Sequence, residues 1–305
     1  MSGAPMTKDM RLTVGPVLFN WPVETWMDFY ARVADEAPVD KVVVGEVVCS
    51  KRTPFYEDRI LEVVERLQRG GKKVVLASLG LLTTVRERRA AAELFAGESA
   101  VEVNDLTALA WARPGFEVGP LVNVYSEGTL GFLARKGARS ICLPPELPFA
   151  AVSALAAAAA AVGVDAEVWA YGRIPLAMSA RCYHARAHNL TKDSCQFVCG
   201  VDPDGLGVDT LDDEAFLTIN GVQTMSNSYC SVIGDLEALA GAGVGALRLS
   251  PHSGDFVEVA RAFRAALDGD LAPEEAQRRL AENAPGAQFS HGFLMGAAGA
   301  ELLGV

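Results

Sequence analysis

Residues 41–80, KVVVGEVVCSKRTPFYEDRILEVVERLQRGGKKVVLASLG, decide the fold. Two β-branched runs, KVVVGEVV from residue 41 and KVVLASLG from residue 73, flank a helical stretch that stops at Gly70 and Gly71. Strand, helix, strand at this spacing is a βαβ unit, which places its two strands parallel in one sheet. The same alternation extends in both directions. Further strand candidates are RLTVGPV near residue 11, AVEVND near 100, GPLVNVY near 119, ARSICLP near 138, AEVWAYG near 166, FLTING near 216 and ALRLSP near 246. Helical stretches such as PVETWMDFYARVADEA lie between them.

Roughly eight strands in a chain of 305 residues favour a closed (β/α)8, TIM-barrel-like α/β fold over an open sheet. The open dinucleotide-binding alternative lacks its glycine fingerprint. Gly241, Gly243 and Gly245 precede a strand instead of following one, which makes them a turn. No linker, low-complexity tail or strong repeat interrupts the chain, so residues 1–305 read as a single domain. The stretch from Asp270, including LAPEEAQRRLAENA, reads as C-terminal helices packed on the barrel.

Half the residues are hydrophobic, enough for a large core. The formal net charge is −11, which gives no electrostatic footprint for nucleic acid or an anionic membrane surface. The N-terminus, MSGAPMTKDMRLTV, lacks an apolar signal region, and the longest apolar stretch, 149–164, is an alanine-rich helix too short to span a bilayer. The expected location is the cytoplasm. In that reducing compartment the six cysteines do not read as a disulfide framework.

Four of the six cysteines form a pattern. Cys182, Cys195 and Cys199 lie in SARCYHARAHNLTKDSCQFVC, a C-x12-C-x3-C spacing, and Cys49 directly follows a strand in GEVVCSKR. In a barrel, loops at the carboxyl ends of strands gather on one face. Cys49 and Cys182 both follow strands, so the fold predicts a four-sulfur site at one mouth, capped by residues 173–200. Four thiolates select zinc or an iron–sulfur cluster. Zinc sites usually carry paired close cysteines, and here only Cys195 and Cys199 are close. That spacing favours a cluster, whose larger core bridges distant loops. The flanking cations Lys51, Arg52, Arg181, Arg186 and Lys192 agree, because a four-thiolate 4Fe–4S centre carries about −2. Four cysteine ligands leave no open iron, and Asp202 stands where a third close cysteine would be needed for radical chemistry on S-adenosylmethionine. Cys142 and Cys230 have no nearby partner and read as buried apolar side chains.

Competing motifs are weaker. His184 and His188 are spaced i, i+4, but the glutamate of a zinc-protease helix is missing, so they read as supporting or surface histidines. No G-x-S-x-G elbow exists, and Asp202-Pro203-Asp204-Gly205 reads as a turn, not a calcium loop. Glu46, Asn104, Asn123, Arg173 and His252 fall near predicted strand ends. They could contact a polar substrate or simply satisfy backbone groups.

GEVVCSKR, the three-cysteine segment and NGVQTMSNSYC, with VEVNDLTAL, NVYSEGTLGFL and CLPPELP, resemble the UbiV group of the collagenase-like peptidase superfamily from about residue 12 onward. The resemblance implies a 4Fe–4S cluster on Cys49, Cys182, Cys195 and Cys199. It implies a heterodimer with a homologous UbiU-like iron–sulfur subunit, a UbiT-like lipid carrier as a further partner, and oxygen-independent hydroxylation of the ring of a ubiquinone precursor. Related members hydroxylate RNA bases, an activity that the acidic charge here argues against. Two other expectations stay open: a non-catalytic iron–sulfur scaffold subunit, and a zinc-stabilised barrel hydrolase.

Overall fold

The computed structural model describes residues 7–284 and 287–303. Eight parallel strands close into a barrel. They are β1 (Arg11–Val14), β2 (Lys41–Val44), β3 (Lys73–Ala77), β4 (Val101–Val103), β5 (Glu117–Val118), β6 (Ser140–Cys142), β7 (Asp165–Met178) and, after an excursion carrying β8 (Leu206–Asp209), β9 (Ala215–Asn220) and β10 (Gln223–Ser231), strand β11 (Ala246–Leu249). Each pairs in parallel with the next, and β11 closes the ring by pairing with both β7 and β1. A short β12 (Phe289–Ser290) adds to β10.

The βαβ reading of residues 41–80 holds, with α3 (Ile60–Arg69) between β2 and β3. Around the barrel lie α1 (Val23–Glu36), the short α2 (Thr53–Tyr56), α4 (Val85–Ala96), α5 (Glu127–Arg135), the alanine-rich α6 (Phe149–Ala161) and α8 (Leu236–Gly241). The one-turn α7 (Tyr183–Ala187) belongs to the excursion. At the C-terminus α9 (Phe256–Asp268) packs against α10 (Pro273–Asn283). No helix among the described residues is long and apolar enough to cross a membrane.

The barrel interior is charged as well as apolar. Arg248 on β11 pairs with Glu102 on β4 and, at 2.5 Å, with Glu167 on β7. Lys41 on β2 meets Glu117 at 2.7 Å and Glu167 at 2.8 Å, and Thr13 donates to Glu167 at 2.8 Å. β4 and β11 are not neighbours in the sheet, so these contacts pass through the interior. Every one of these six side chains is buried, and each charge is paired, as a dry interior requires.

Three expectations need correction. GPLVNVY is not a strand: β5 is Glu117–Val118, just before it, and the later residues form the turn leading to α5. FLTING is a strand but not a barrel strand. It is β9, antiparallel to β8 and β10 within the excursion. The cap does not begin at residue 173, because β7 continues to Met178 and there pairs antiparallel with β10.

Candidate functional site

The excursion between β7 and β11 folds over the loops that follow β1 and β2. Trp21 Nε1 donates to the Pro203 carbonyl at 2.7 Å, and Lys51 Nζ donates to the Lys192 carbonyl at 2.6 Å. Those loops leave the carboxyl ends of parallel strands, so the excursion covers the C-terminal face.

There the fold brings Cys49, Cys182, Cys195 and Cys199 around one small cavity, whose wall also includes Lys51, Arg52, Lys192, Phe197 and Gly221. Cys49 is delivered by a tight turn after β2, in which Glu46 Oε1 accepts the amides of Val48 (2.7 Å) and Cys49 (2.9 Å). Cys182 caps α7: its Sγ accepts the Ala185 amide at 3.3 Å and donates to the Gly221 carbonyl at 3.1 Å. Between Cys195 and Cys199 the chain makes an unusual bend. Gln196 and Phe197 sit at φ 48° and 54°, a left-handed region costly for residues with a Cβ. That bend curls the C-x3-C segment around the cavity.

Arg52 is the cation of this site. It is buried; its Nη2 donates to Asn220 Oδ1 at 2.6 Å and its Nη1 to the Leu18 carbonyl at 3.2 Å, while its Nε has no partner among the described residues. Burial works against the charge, but Glu46, Cys199 and Cys49 around it hold the guanidinium protonated. Burial pushes the Cys49 thiol up, opposed by the Lys51 amide and Arg52, and it pushes the Cys182 thiol up too. Both thiols therefore stay protonated unless a positive centre draws the protons off. Enclosure, four sulfurs, amide donors to sulfur and a buried guanidinium fit a negatively charged metal–thiolate group.

Beside this cavity lies a larger, mostly apolar one of about 390 Å³, between α3, α4 and the ends of β2 and β3. Phe19, Trp26, Leu76, Leu79 and Leu82 line it, with Tyr56 and the carboxyl of Glu46. Its volume falls in the range of small-ligand sites. Glu46 lines this second cavity and holds the amide of Cys49, which lines the first, and burial raises its carboxyl above the usual carboxylate range despite Arg52 and the two amides.

The other strand-end residues separate. Asn104 is buried, donating to the Ser78 carbonyl (3.2 Å) and Glu102 (3.1 Å). His252 is buried with its Nε2 2.9 Å from the Tyr171 hydroxyl. Arg173 lies over the Tyr229 ring, 4.8 Å from its centroid, and Asn123 is exposed off any strand. These four satisfy internal partners or solvent, and Glu46 alone of the set lines a sizeable cavity. Of the flanking cations, Arg181 and Arg186 are exposed. Cys142 is buried on barrel strand β6 and Cys230 on β10, and burial pushes the Cys230 thiol up to about 12.

Two features were missed in the sequence. The depth of Arg52 was hidden, because its neighbour Lys51 carries the same charge and is half-exposed. The approach of Asp202 to His184 (3.0 Å) joins segments whose proximity only the fold creates.

Two solved structures align with this chain at low sequence identity. A designed cube-shaped, highly porous protein cage made by fusing symmetric oligomeric domains aligns at TM-score 0.41 and 10% identity, over 90% of this chain and 76% of that one. A mutant tryptophan synthase alpha-subunit from the hyperthermophile Pyrococcus furiosus aligns at TM-score 0.38 and 12% identity, over 88% and 97%. The sequence itself is more specific: residues 26–303, nearly the whole chain and all four converging cysteines, match peptidase family U32, and the protein belongs to that family.

Proposed function

We propose that this chain is a 4Fe–4S subunit of an oxygen-independent hydroxylase that acts on the ring of a ubiquinone precursor. It would work with a UbiU-like homologous subunit and receive substrate from a UbiT-like lipid carrier. The observation that carries the reading is the convergence of Cys49, Cys182, Cys195 and Cys199 on one enclosed cavity. The thiols ring the cavity without gathering on a point. Among the described residues the only group of ligand atoms compact enough for a single ion is another one, His184, His188 and Asp202. Spaced thiols favour a cubane, whose core is larger than one zinc.

The cluster, when bound, supplies electron transfer, and its four thiolates leave no iron open to substrate. The chain's own residues do the rest. Arg52 offsets the negative charge of the thiolate group from a buried position. Glu46 fixes the turn that presents Cys49 and lends a carboxyl to the apolar cavity next door. That cavity suits an apolar ring better than a peptide, and the acidic surface disfavours RNA. The name of the family is peptidase, yet a four-thiolate site leaves no coordination position for a hydrolytic water.

The test is anaerobic ring hydroxylation by the complex purified with its partner. Cys182→Ala should lose cluster absorbance and hydroxylation together. Glu46→Gln should keep cluster and partner but slow hydroxylation at least roughly tenfold, as loss of a positioned acidic group does. A Glu46→Gln complex at full rate would make this chain a scaffold. A Cys182→Ala complex at full rate would refute the reading altogether.

A further inference from the structure

His184, His188 and Asp202 form a second constellation, outside the thiol cavity. Their ligand atoms lie within 4.8 Å of one another. His184 is fully buried, and its Nδ1 sits 3.3 Å from the Ile219 carbonyl. A carbonyl only accepts, so Nδ1 carries the proton and Nε2 presents a lone pair. That lone pair lies 3.0 Å from Asp202 Oδ2, which is also an acceptor. Neither atom has a hydrogen-bond partner among the described residues. A proton on Nε2 or a metal ion would each relieve that contact, and the third ligand atom, on His188 within 4.8 Å of both, favours the metal. Two buried acceptors in van der Waals contact call for a cation between them.

The geometry fits a metal ion. Two ligands at about 2.1 Å from one ion, at a right angle, lie about 3.0 Å apart. A histidine that gives its other ring N–H to a backbone carbonyl is the usual oriented ligand. His188 stands one turn along from His184, exposed, its ring parallel within 13° at 5.4 Å, with a ring nitrogen within 4.8 Å of the other two ligand atoms. Asn220 steadies the third ligand, donating to the Asp202 carbonyl at 2.9 Å and to that of Cys199 at 3.0 Å.

We propose that His184, His188 and Asp202 bind a divalent first-row cation such as zinc, iron(II) or cobalt(II). Two imidazoles and a carboxylate suit those ions, not calcium or magnesium. The ion staples α7, which follows Cys182, to the turn that follows Cys199, and so pins both arms of the cysteine-bearing excursion. The proposal does not depend on what fills the thiol cavity.

Cobalt(II) titration of the anaerobically purified chain tests it. The expected result is weak visible d–d absorption from one nitrogen–oxygen site, without thiolate-to-cobalt charge transfer. His188→Ala, an exposed change that spares the fold, and the isosteric Asp202→Asn should each weaken that binding roughly tenfold or more. The site should persist in Cys195→Ser. Charge-transfer bands that survive His188→Ala and vanish in Cys195→Ser belong to the thiols and report on the cluster reading instead. Absence of the weak-band cobalt, or binding unmoved by both His188→Ala and Asp202→Asn, would overturn the proposal.

Discussion

Gly221 shows how little room the thiol site leaves. Its φ is +68°, its carbonyl accepts from Cys182, and a Cβ there would stand 2.4 Å from Arg52 Nη2. Gly71 is a control, at φ +77° with nothing within 4 Å. Alanine at Gly71 should cost only the backbone strain, about 1–2 kcal/mol. Gly221→Ala should cost more and also expel Arg52, so that cluster retention falls. Urea unfolding and visible absorbance of the two variants measure this, and equal losses with intact absorbance would contradict it. At this scale the approach of the four cysteines to one another was legible, because loops after parallel barrel strands gather on one face. The burial of Arg52 was not, since depth depends on Asn220 and Leu18, which lie 168 and 34 residues away. The pairing of Asp202 with His184 was hidden for the same reason.

The first turn of α4 ties helix stability to the site. Thr84 caps it, accepting the Glu87 amide at 3.2 Å, while Glu87 accepts the amides of Thr83 and Thr84 and, at 2.7 Å, the hydroxyl of Ser50 beside Cys49. Thr84→Ala should lower the unfolding free energy by about 1 kcal/mol and leave the cluster in place. Glu87→Ala should also shorten the lifetime of the cluster in air, because the cysteine turn loses its anchor. Urea titration and the decay of visible absorbance check both, and unchanged decay in Glu87→Ala would break the link. Elements were readable where β-branched runs alternate with amphipathic stretches, as in residues 41–80. They were misread where a buried turn mimics a strand. Val122 and Val124 are buried without belonging to any strand, and apolar content alone cannot separate the two. The antiparallel pairing within the β8–β10 excursion escaped for another reason. Its strands pair antiparallel with each other and with the extension of β7, and no local pattern reports a partner.

Across the whole molecule, the barrel was legible from the βα repeat, but its charged interior was not, since Lys41, Glu102, Glu117, Glu167 and Arg248 look like surface residues until the ring closes. That interior predicts an acid limit. Burial would raise the carboxyls of Glu117 and Glu167, but Lys41 beside Glu117, and Arg248 and Lys41 beside Glu167, outweigh it. Glu117 is held down at about 2, and Glu167 well below the ordinary range. Both are lower folded than unfolded, where a glutamate titrates near about 4.3. Their stabilisation is therefore complete above about 4.3 and fades as pH falls toward about 2. The urea midpoint should drop steeply from about pH 5 to about pH 3. Glu117→Gln should be less stable at neutral pH and show a shallower acid slope. Parallel pH curves for the two proteins would show that the network does not set the limit.

The central claim is that four cysteines from distant parts of the barrel hold an iron–sulfur cluster. It is tested most directly by the visible spectrum and the iron, sulfide and zinc content of protein purified without oxygen. The predicted result is a brown protein with about four irons and four sulfides per chain, lost in Cys182→Ala. A colourless protein carrying about one zinc on the same thiols would contradict it.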